Sequence, residues 1–371
     1  MIEVLHFADS QKGACFKYRV ALPIKYLNRT GLVHAEFSDR WEAQLLSKIH
    51  LFAFQRNSTK EALQILYQLR EKKRPIIYDI DDDILHIPES NPVYGLILHN
   101  PGVLVHQLSG MRFASVITVT CPALKRLYEV ITPNVRILPN CVDLEDWANV
   151  SGILKRTKKC RIFWGGSPTH DCDLDSIRSV LKRICEDFGK SVEIVFMGIE
   201  NKQKDFPVTQ IPGGEYEFFQ SIMSSCDIGI APMADNPFNL GKSDLRLKEL
   251  GMAKLPIVAS QVGEYDKKES GALLCKTEQD WYHALSTLIN DKEKRKLSAK
   301  ESRAWAETWD IKKHIHLWQD LYEEMTTDEH ERGSAMQVVR IQSPKRPTRK
   351  VSSGTVRVGG NPHDRNSNAS S

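Results

Sequence analysis

The sequence has no apolar run approaching the roughly 18 residues needed to cross a bilayer. Its first nine residues, Met1-Ile-Glu-Val-Leu-His-Phe-Ala-Asp, are too few and too acidic for a signal peptide. No repeat of solenoid period recurs. The eight cysteines (15, 121, 141, 160, 172, 185, 226 and 275) include no Cys-x-x-Cys pair and no Cys/His cluster at metal spacing. They read as reduced thiols filling core and loops. The expectation is a cytoplasmic protein without a transmembrane segment.

Global charge is also lacking once its location is considered. The chain carries +4, but the stretch from Glu331 to Ser371 holds eight Lys/Arg against two acids. Residues 1–330 are left with 43 Lys/Arg and 45 Asp/Glu, a slightly acidic balance that provides no basic field for nucleic acid or anionic membrane. Beyond about Thr327 the chain is rich in Ser, Gly, Pro, Asn and Arg and nearly free of aromatics. That composition cannot bury enough apolar surface to offset ordering, so residues 328–371 read as a disordered basic tail.

With 371 residues and 41% hydrophobic content, the chain is long enough for two ordinary domains. Short apolar runs alternate with segments of helical period, the pattern of βαβ units and parallel sheets. One series runs from strand Ile2–Phe7 to strand Val135–Leu138. A polar stretch from Ala148 to Lys159 carries neither period, and a second series then opens at strand Arg161–Trp164 and continues through helix Leu174–Phe188 and strands Val192–Met197, Val208–Ile211 and Ile228–Ala231. The expected organisation is α/β, with a doubly wound domain over 1–150, a second over 151–308, a final helix over 309–327, and the tail.

In open parallel sheets, ligands bind beyond the carboxyl ends of the strands, so the residues just after each strand carry the information. After the first strand comes Asp9-Ser-Gln-Lys-Gly13-Ala-Cys-Phe-Lys-Tyr-Arg19. Gly13 is either a plain turn residue or a place for an anion to approach backbone N–H groups, with Arg19 nearby. In Tyr78-Asp-Ile-Asp81-Asp82-Asp83, four carboxylates crowd the end of a buried strand and repel one another. A divalent metal, hydrogen bonding to sugar hydroxyls or proton transfer, and helix capping are three separate reasons for such a cluster.

The second series opens with Phe163-Trp-Gly165-Gly166-Ser167-Pro-Thr169-His170. This outlines a phosphate cradle but lacks the Gly-x-Gly-x-x-Gly of a dinucleotide site, and His170 is equally a solvated loop residue. Further on, Asn239-Leu-Gly-Lys242-Ser243-Asp-Leu-Arg246-Leu-Lys-Glu249 is read as a Gly-Lys-Ser turn opening a helix. Lys242, Arg246 and Glu249 then fall on one helix face, where cation and carboxylate suit a nucleotide diphosphate and its ribose. An ordinary salt-bridged surface helix is the competing reading, and no Walker A glycine stands five residues before Gly241.

Taken in order, these motifs resemble the retaining GT-B glycosyltransferases of group 1 over nearly all of residues 1 to 325. Leu138-Pro-Asn-Cys-Val-Asp143 is similar to the Pro-Asn-Gly-Val-Asp turn that closes their amino-terminal domain. Phe238 to Glu249, followed by Pro256-Ile-Val-Ala-Ser260, resembles their donor helix and next strand. The resemblance implies two Rossmann-like domains facing each other across a cleft. It implies that Glu249 binds the ribose, that Lys242 with Ser243 and the helix amino end holds the diphosphate, and that Gly165 to Thr169 cradles phosphate from the other side. Asp81 and Asp82 stand where many relatives carry His-Asp, the first glutamate of the paired-glutamate motif falls on Gly241, and the final helix crosses back onto the first domain.

The activity so implied is transfer of a sugar from a nucleotide-diphosphate sugar, with retention, without a metal or other cofactor. Asp81, Asp82 and Lys242 are the catalytic candidates. Gly13, Arg19, Gly165, Gly166, Ser167, Thr169, His170, Asn239, Lys242, Ser243, Arg246 and Glu249 are the donor-site candidates. A catalytically inactive nucleotide-sugar-binding protein and a nucleotide-sugar epimerase share the architecture. The acceptor, whether glycan, lipid-linked sugar, protein or modified nucleic acid, has no readable code in Pro88–Gly102.

Overall fold

The computed structural model describes residues 1–11, 13–42, 47–201 and 204–335. Its first compact unit, Met1–His330, contains two six-stranded sheets in which every strand pairing is parallel. The first sheet comprises β1 (Ile2–Ala8), β2 (Val33–Phe37), β3 (Leu51–Gln55), β4 (Ile76–Asp79), β5 (Val116–Val119) and β6 (Val135–Ile137), in spatial order β2-β1-β3-β4-β5-β6. The second comprises β7 (Cys160–Gly165), β8 (Val192–Met197), β9 (Val208–Ile211), β10 (Ile228–Ala231), β11 (Ile257–Ser260) and β12 (Leu273–Cys275), in order β12-β11-β10-β7-β8-β9. Strand order reverses between β1 and β3 in one sheet and between β7 and β10 in the other. These are the crevices where doubly wound folds accept ligands.

The central strands are buried along their whole length because helices cover both faces of each sheet, which is why they read as unbroken apolar runs. One face of the first sheet carries a core of Phe52, Phe54, Leu66, Leu69, Tyr78 and Met111; the other carries Val4, Leu27, Leu51 and Ile77. That second face is completed by Ile311, Trp318, Leu321 and Tyr322 from the end of the unit. The chain thus returns from the second sheet to the first, and the return is fixed where Val142 and Asp310 form a parallel bridge.

Four segments differ from the sequence reading. The helix expected over Leu174–Phe188 is two pieces, Asp171–Asp175 and Arg178–Phe188, and a helix not foreseen forms at Pro92–His99 with Asn91 as its cap. The helix expected from Ser243 begins at Leu245, leaving Lys242 and Ser243 in the turn before it. The final helix expected over 309–327 is a short helix, Ile311–His314, followed by a long one, His316–Ala335, which runs past Thr327, where disorder was expected to begin. The rest of that tail lies outside the described residues.

The segment after β1 is helical from Gly13 to Thr30 but widens to a π-turn over Lys17–Ala21, with Leu22 N–H bonded back to the Lys17 carbonyl. Pro23 lacks the N–H that would bond the Arg19 carbonyl in a regular helix, and the wider turn accommodates that loss. Gly13 sits at φ +84 with open space around it, so backbone conformation rather than packing requires a glycine there.

Candidate functional site

The carboxyl ends of both sheets meet, and most of the residues singled out in the sequence lie at that junction. From the second sheet's side, Lys242 projects into the first and places Nζ 2.8 Å from Asp82 Oδ1 and 4.3 Å from the Phe238 ring centroid. Because Lys242 precedes the helix, it does not share a face with Arg246 and Glu249, which corrects the spacing argument. Of Lys242 and Arg246, only Arg246 approaches the Glu249 carboxylate, with Nη1 3.9 Å from Glu249 Oε2 and its guanidinium over Phe219.

Glu249 is 4% exposed, and the hydroxyl of Tyr18, from the first half of the chain, donates to its Oε1 at 2.9 Å. Burial raises the carboxyl's pKa, and Arg246, Tyr18 and Lys17 offset this only in part. Ser243 is also met from the other side, where Asn140 Nδ2 donates to Ser243 Oγ at 2.9 Å. Asn140 also accepts, through its carbonyl, from the fully buried Lys248 at 2.7 Å. Lys248 is paired in turn with Asp244 at 2.6 Å and covered by Trp309.

The four carboxylates of the Asp79–Asp83 run have different fates. Asp79 makes a two-point bridge to Arg19, at 2.9 and 2.6 Å, and also accepts from Thr118. Arg19, 4% exposed, further donates to Leu138 O and Asn140 Oδ1. It therefore ties the first helix to β4 and to the linker between the sheets. Asp83 caps the following turn by accepting from Leu85 and His86 N–H groups, and its other oxygen meets His86 Nδ1 at 2.8 Å.

Asp81 and Asp82 remain at the junction, and both face Arg56, a residue the sequence reading passed over. Arg56 Nη1 is 3.4 Å from Asp81 Oδ1, and Nη2 is 4.0 Å from Asp82 Oδ2. Burial would raise the pKa of Asp81, but Arg56 first, then Cys15, Arg19 and Lys242, bring it below the usual value. Arg56 directly follows β3 at the reversal of strand order. It became identifiable only once that order was known. Among the described residues, no three His, Cys, Asp or Glu side chains converge in a way that could hold a metal ion.

The glycine-rich loop after β7 is more committed internally than its sequence suggests. A Cβ on Gly165 would lie 2.6 Å from the Phe219 ring, and one on Gly166 would lie 2.7 Å from Trp164. Gly166 N–H bonds the Met197 carbonyl at 3.0 Å, and the Ser167 and Thr169 hydroxyls pair at 2.6 Å. Asp173 organises the surroundings: it meets His170 Nδ1 at 2.8 Å, and it accepts from Ala234 N–H at 2.9 Å and from Asn239 Nδ2 at 2.7 Å. Asn239 also donates to the Ala234 carbonyl, so its side chain fixes the loop that leads to Lys242.

A cavity of about 530 Å³ opens beside the Asp82–Lys242 contact, lined by Asp83, His86 and Arg126 on one side and by Leu240, Gly241 and Glu264 on the other. All eight cysteines are free, and no described helix is long and apolar enough to cross a membrane.

Two six-stranded parallel sheets, each doubly wound, joined by a linker and a returning carboxyl-terminal helix, form the GT-B fold. Comparison with protein-family models found no match, and comparison with curated proteins found none either. Solved structures do match. Sucrose-phosphate synthase from Thermosynechococcus elongatus aligns at TM-score 0.62 and 12% identity, covering 88% of this chain and all of that one. Anabaena HepE, solved in complex with UDP, aligns at 0.58 and 14% identity with the same coverage. A UDP-forming α,α-trehalose-phosphate synthase from Burkholderia xenovorans aligns at 0.57 and 11%, covering 88% of this chain and 99% of that one. At such identities the likeness is one of fold.

Proposed function

We propose that this chain is a glycosyltransferase that takes a sugar from a nucleotide-diphosphate donor at the junction of the two sheets, with retention at the anomeric carbon. The observation that carries the reading is the contact of Lys242 with Asp82, within electrostatic reach of Asp81, at the carboxyl ends of both sheets, in the turn before the helix bearing Glu249. An ammonium placed there suits the charge that builds on a departing nucleoside diphosphate, and in a mostly dry site it acts more strongly than it would in water. Asp81, held as a carboxylate, accepts a hydrogen bond from a hydroxyl of the sugar as that sugar gains oxocarbenium character. Glu249 takes the ribose hydroxyls in place of Tyr18. Closure of the two halves around the donor excludes water and limits its hydrolysis. The reading includes no metal, and it places the reaction in the cytoplasm, in keeping with eight free thiols.

HepE was solved with UDP and the Burkholderia enzyme is UDP-forming, so UDP is the first nucleotide to try. The test is a thermal-shift screen of wild type and Glu249→Ala against UDP, GDP, ADP, CMP and dTDP. Stabilisation of the wild type by one of them, lost in the variant, supports the site and names its base. No stabilisation by any of them removes the donor reading.

A second reading is favoured by one observation: Tyr18 and Asp82 already occupy the side chains assigned to the donor. A binding protein that has lost catalysis would tolerate such occupation. Transfer or donor hydrolysis above background excludes it, and product analysis with UDP-N-acetylglucosamine alone separates both readings from an epimerase.

A further inference from the structure

Arg56 has unusual backbone geometry for an arginine. Its φ is +56, a left-handed conformation that non-glycine residues adopt at a cost of about 1 kcal/mol or more. Both of its main-chain polar groups are fastened. The N–H bonds the Asp79 carbonyl at 3.0 Å, and the carbonyl accepts from Gln107 Nε2 at 3.1 Å. The left-handed turn ends β3 at the switch in strand order and directs the guanidinium across the end of β4 toward Asp81 and Asp82. Surrounding structure thus holds this residue in a strained conformation, and the side chain so aimed is a cation between two carboxylates.

Each charged group around Asp81 has a different tether. Arg19 is engaged in its two-point bridge to Asp79. Cys15, from the first helix, accepts from Arg56 Nη1 at 3.3 Å and also hydrogen-bonds Asp81. Asp82 shares Arg56 and takes Lys242. Lys242 is the one cation in this group that arrives from the second sheet's side, and the donor reading assigns it to the diphosphate. Drawing Lys242 onto phosphate removes positive charge from the two aspartates at the moment when a sugar hydroxyl needs a carboxylate acceptor.

We propose that Arg56 is the positioning residue for Asp81: its guanidinium stays with that carboxylate when Lys242 moves to the donor diphosphate. This rests on the donor reading and adds a residue to it. Arg56 touches no substrate. It acts through Asp81, and without it the buried Asp81, next to Asp82, takes up a proton as the nucleotide binds.

The measurement is proton linkage: calorimetric titration of UDP into wild type, Arg56→Gln and Arg56→Lys at pH 7, in two buffers of different ionisation enthalpy. Arg56→Gln is expected to take up on the order of half a proton more per UDP than wild type. Arg56→Lys, which keeps a cation, should return toward the wild-type count, and Arg56→Gln/Asp81→Asn should abolish the excess. Equal proton counts in Arg56→Gln and wild type overturn the proposal while leaving the donor site intact. Failure of wild type to bind any of the nucleotides overturns the donor reading and this proposal with it. If Arg56→Gln does not fold, folding restored in Arg56→Gln/Asp81→Asn supports the pairing, and failure of both counts against it.

Discussion

Lys242 Nζ and Asp82 Oδ1, on opposite sides of the junction between the sheets, stand 2.8 Å apart, each side chain about one-fifth exposed. A lysine so placed cannot hold phosphate and aspartate equally well, so the donor and the first half of the chain compete for it. Lys242→Gln should therefore weaken UDP binding by roughly 10- to 100-fold, the usual worth of a charge-assisted phosphate contact. Asp82→Asn should do the opposite, tightening UDP several-fold by releasing the lysine, while transfer is lost. Calorimetry on the two variants decides the matter, and equal weakening in both would reduce the contact to a structural pair.

Glu249 shows a related conflict between stability and binding. Its folded-state pKa is raised above the unfolded value, so ionising it costs the folded protein stability. The penalty is absent at pH values below the unfolded pKa and grows as pH rises through the folded one. Glu249→Gln should therefore raise the melting temperature, more at pH 8 than at pH 5, while removing stabilisation by UDP. Tyr18→Phe should act in the other direction on stability, lowering it by about 1 to 2 kcal/mol, because a buried acceptor loses its donor. A melting-temperature series over pH for the two variants checks both signs.

Much of this fold was legible because parallel strands buried on both faces appear as short apolar runs. Val192–Met197, Val208–Ile211 and Ile228–Ala231 have the same limits in the sequence and in the structure. Helix starts were less legible. Lys242 and Ser243 look helical in sequence, yet the helix begins at Leu245, just after Asp244, whose carboxylate pairs with the buried Lys248. Pro92–His99 was missed because an apolar segment with no buried residue has no pattern to reveal it. At the junction, the sequence identified Asp81, Asp82, Lys242 and Glu249 but gave no indication of their partners. Tyr18, Asn140 and Arg56 reach those residues through strand order and packing, which spacing along the chain does not encode.

The Arg19–Asp79 pair is structural support for that junction, with the two side chains 1% and 11% exposed. Removing one member of a buried ion pair leaves the other uncompensated, so Arg19→Ala should cost roughly 3 to 5 kcal/mol. Combining Arg19→Leu with Asp79→Asn should cost clearly less than the two single changes added together, because neither charge is then stranded. Urea unfolding of the singles and the double provides the cycle, and simple additivity would show that the two side chains act independently.

His6 contributes to the acid sensitivity of the first unit. It lies on β1 with its ring buried against the carboxyl-terminal helix, where Nε2 meets the Tyr322 hydroxyl at 3.2 Å, and burial lowers its pKa to about 4. The unfolded chain binds this proton near pH 6.5 and the folded chain does so only near 4. Between those values the unfolded state holds more protons, and stability falls as the solution is acidified. The loss should reach on the order of 3 kcal/mol by pH 4, at about 1.4 kcal/mol for each pH unit. His6→Gln keeps a hydrogen-bonding side chain of similar reach but cannot titrate, so its melting temperature should fall less than that of wild type between pH 7 and pH 4.5. An unchanged slope in this variant would assign the acid sensitivity to other groups. A flattened slope would assign that share of the acid sensitivity to the buried imidazole where the returning helix packs on the first sheet.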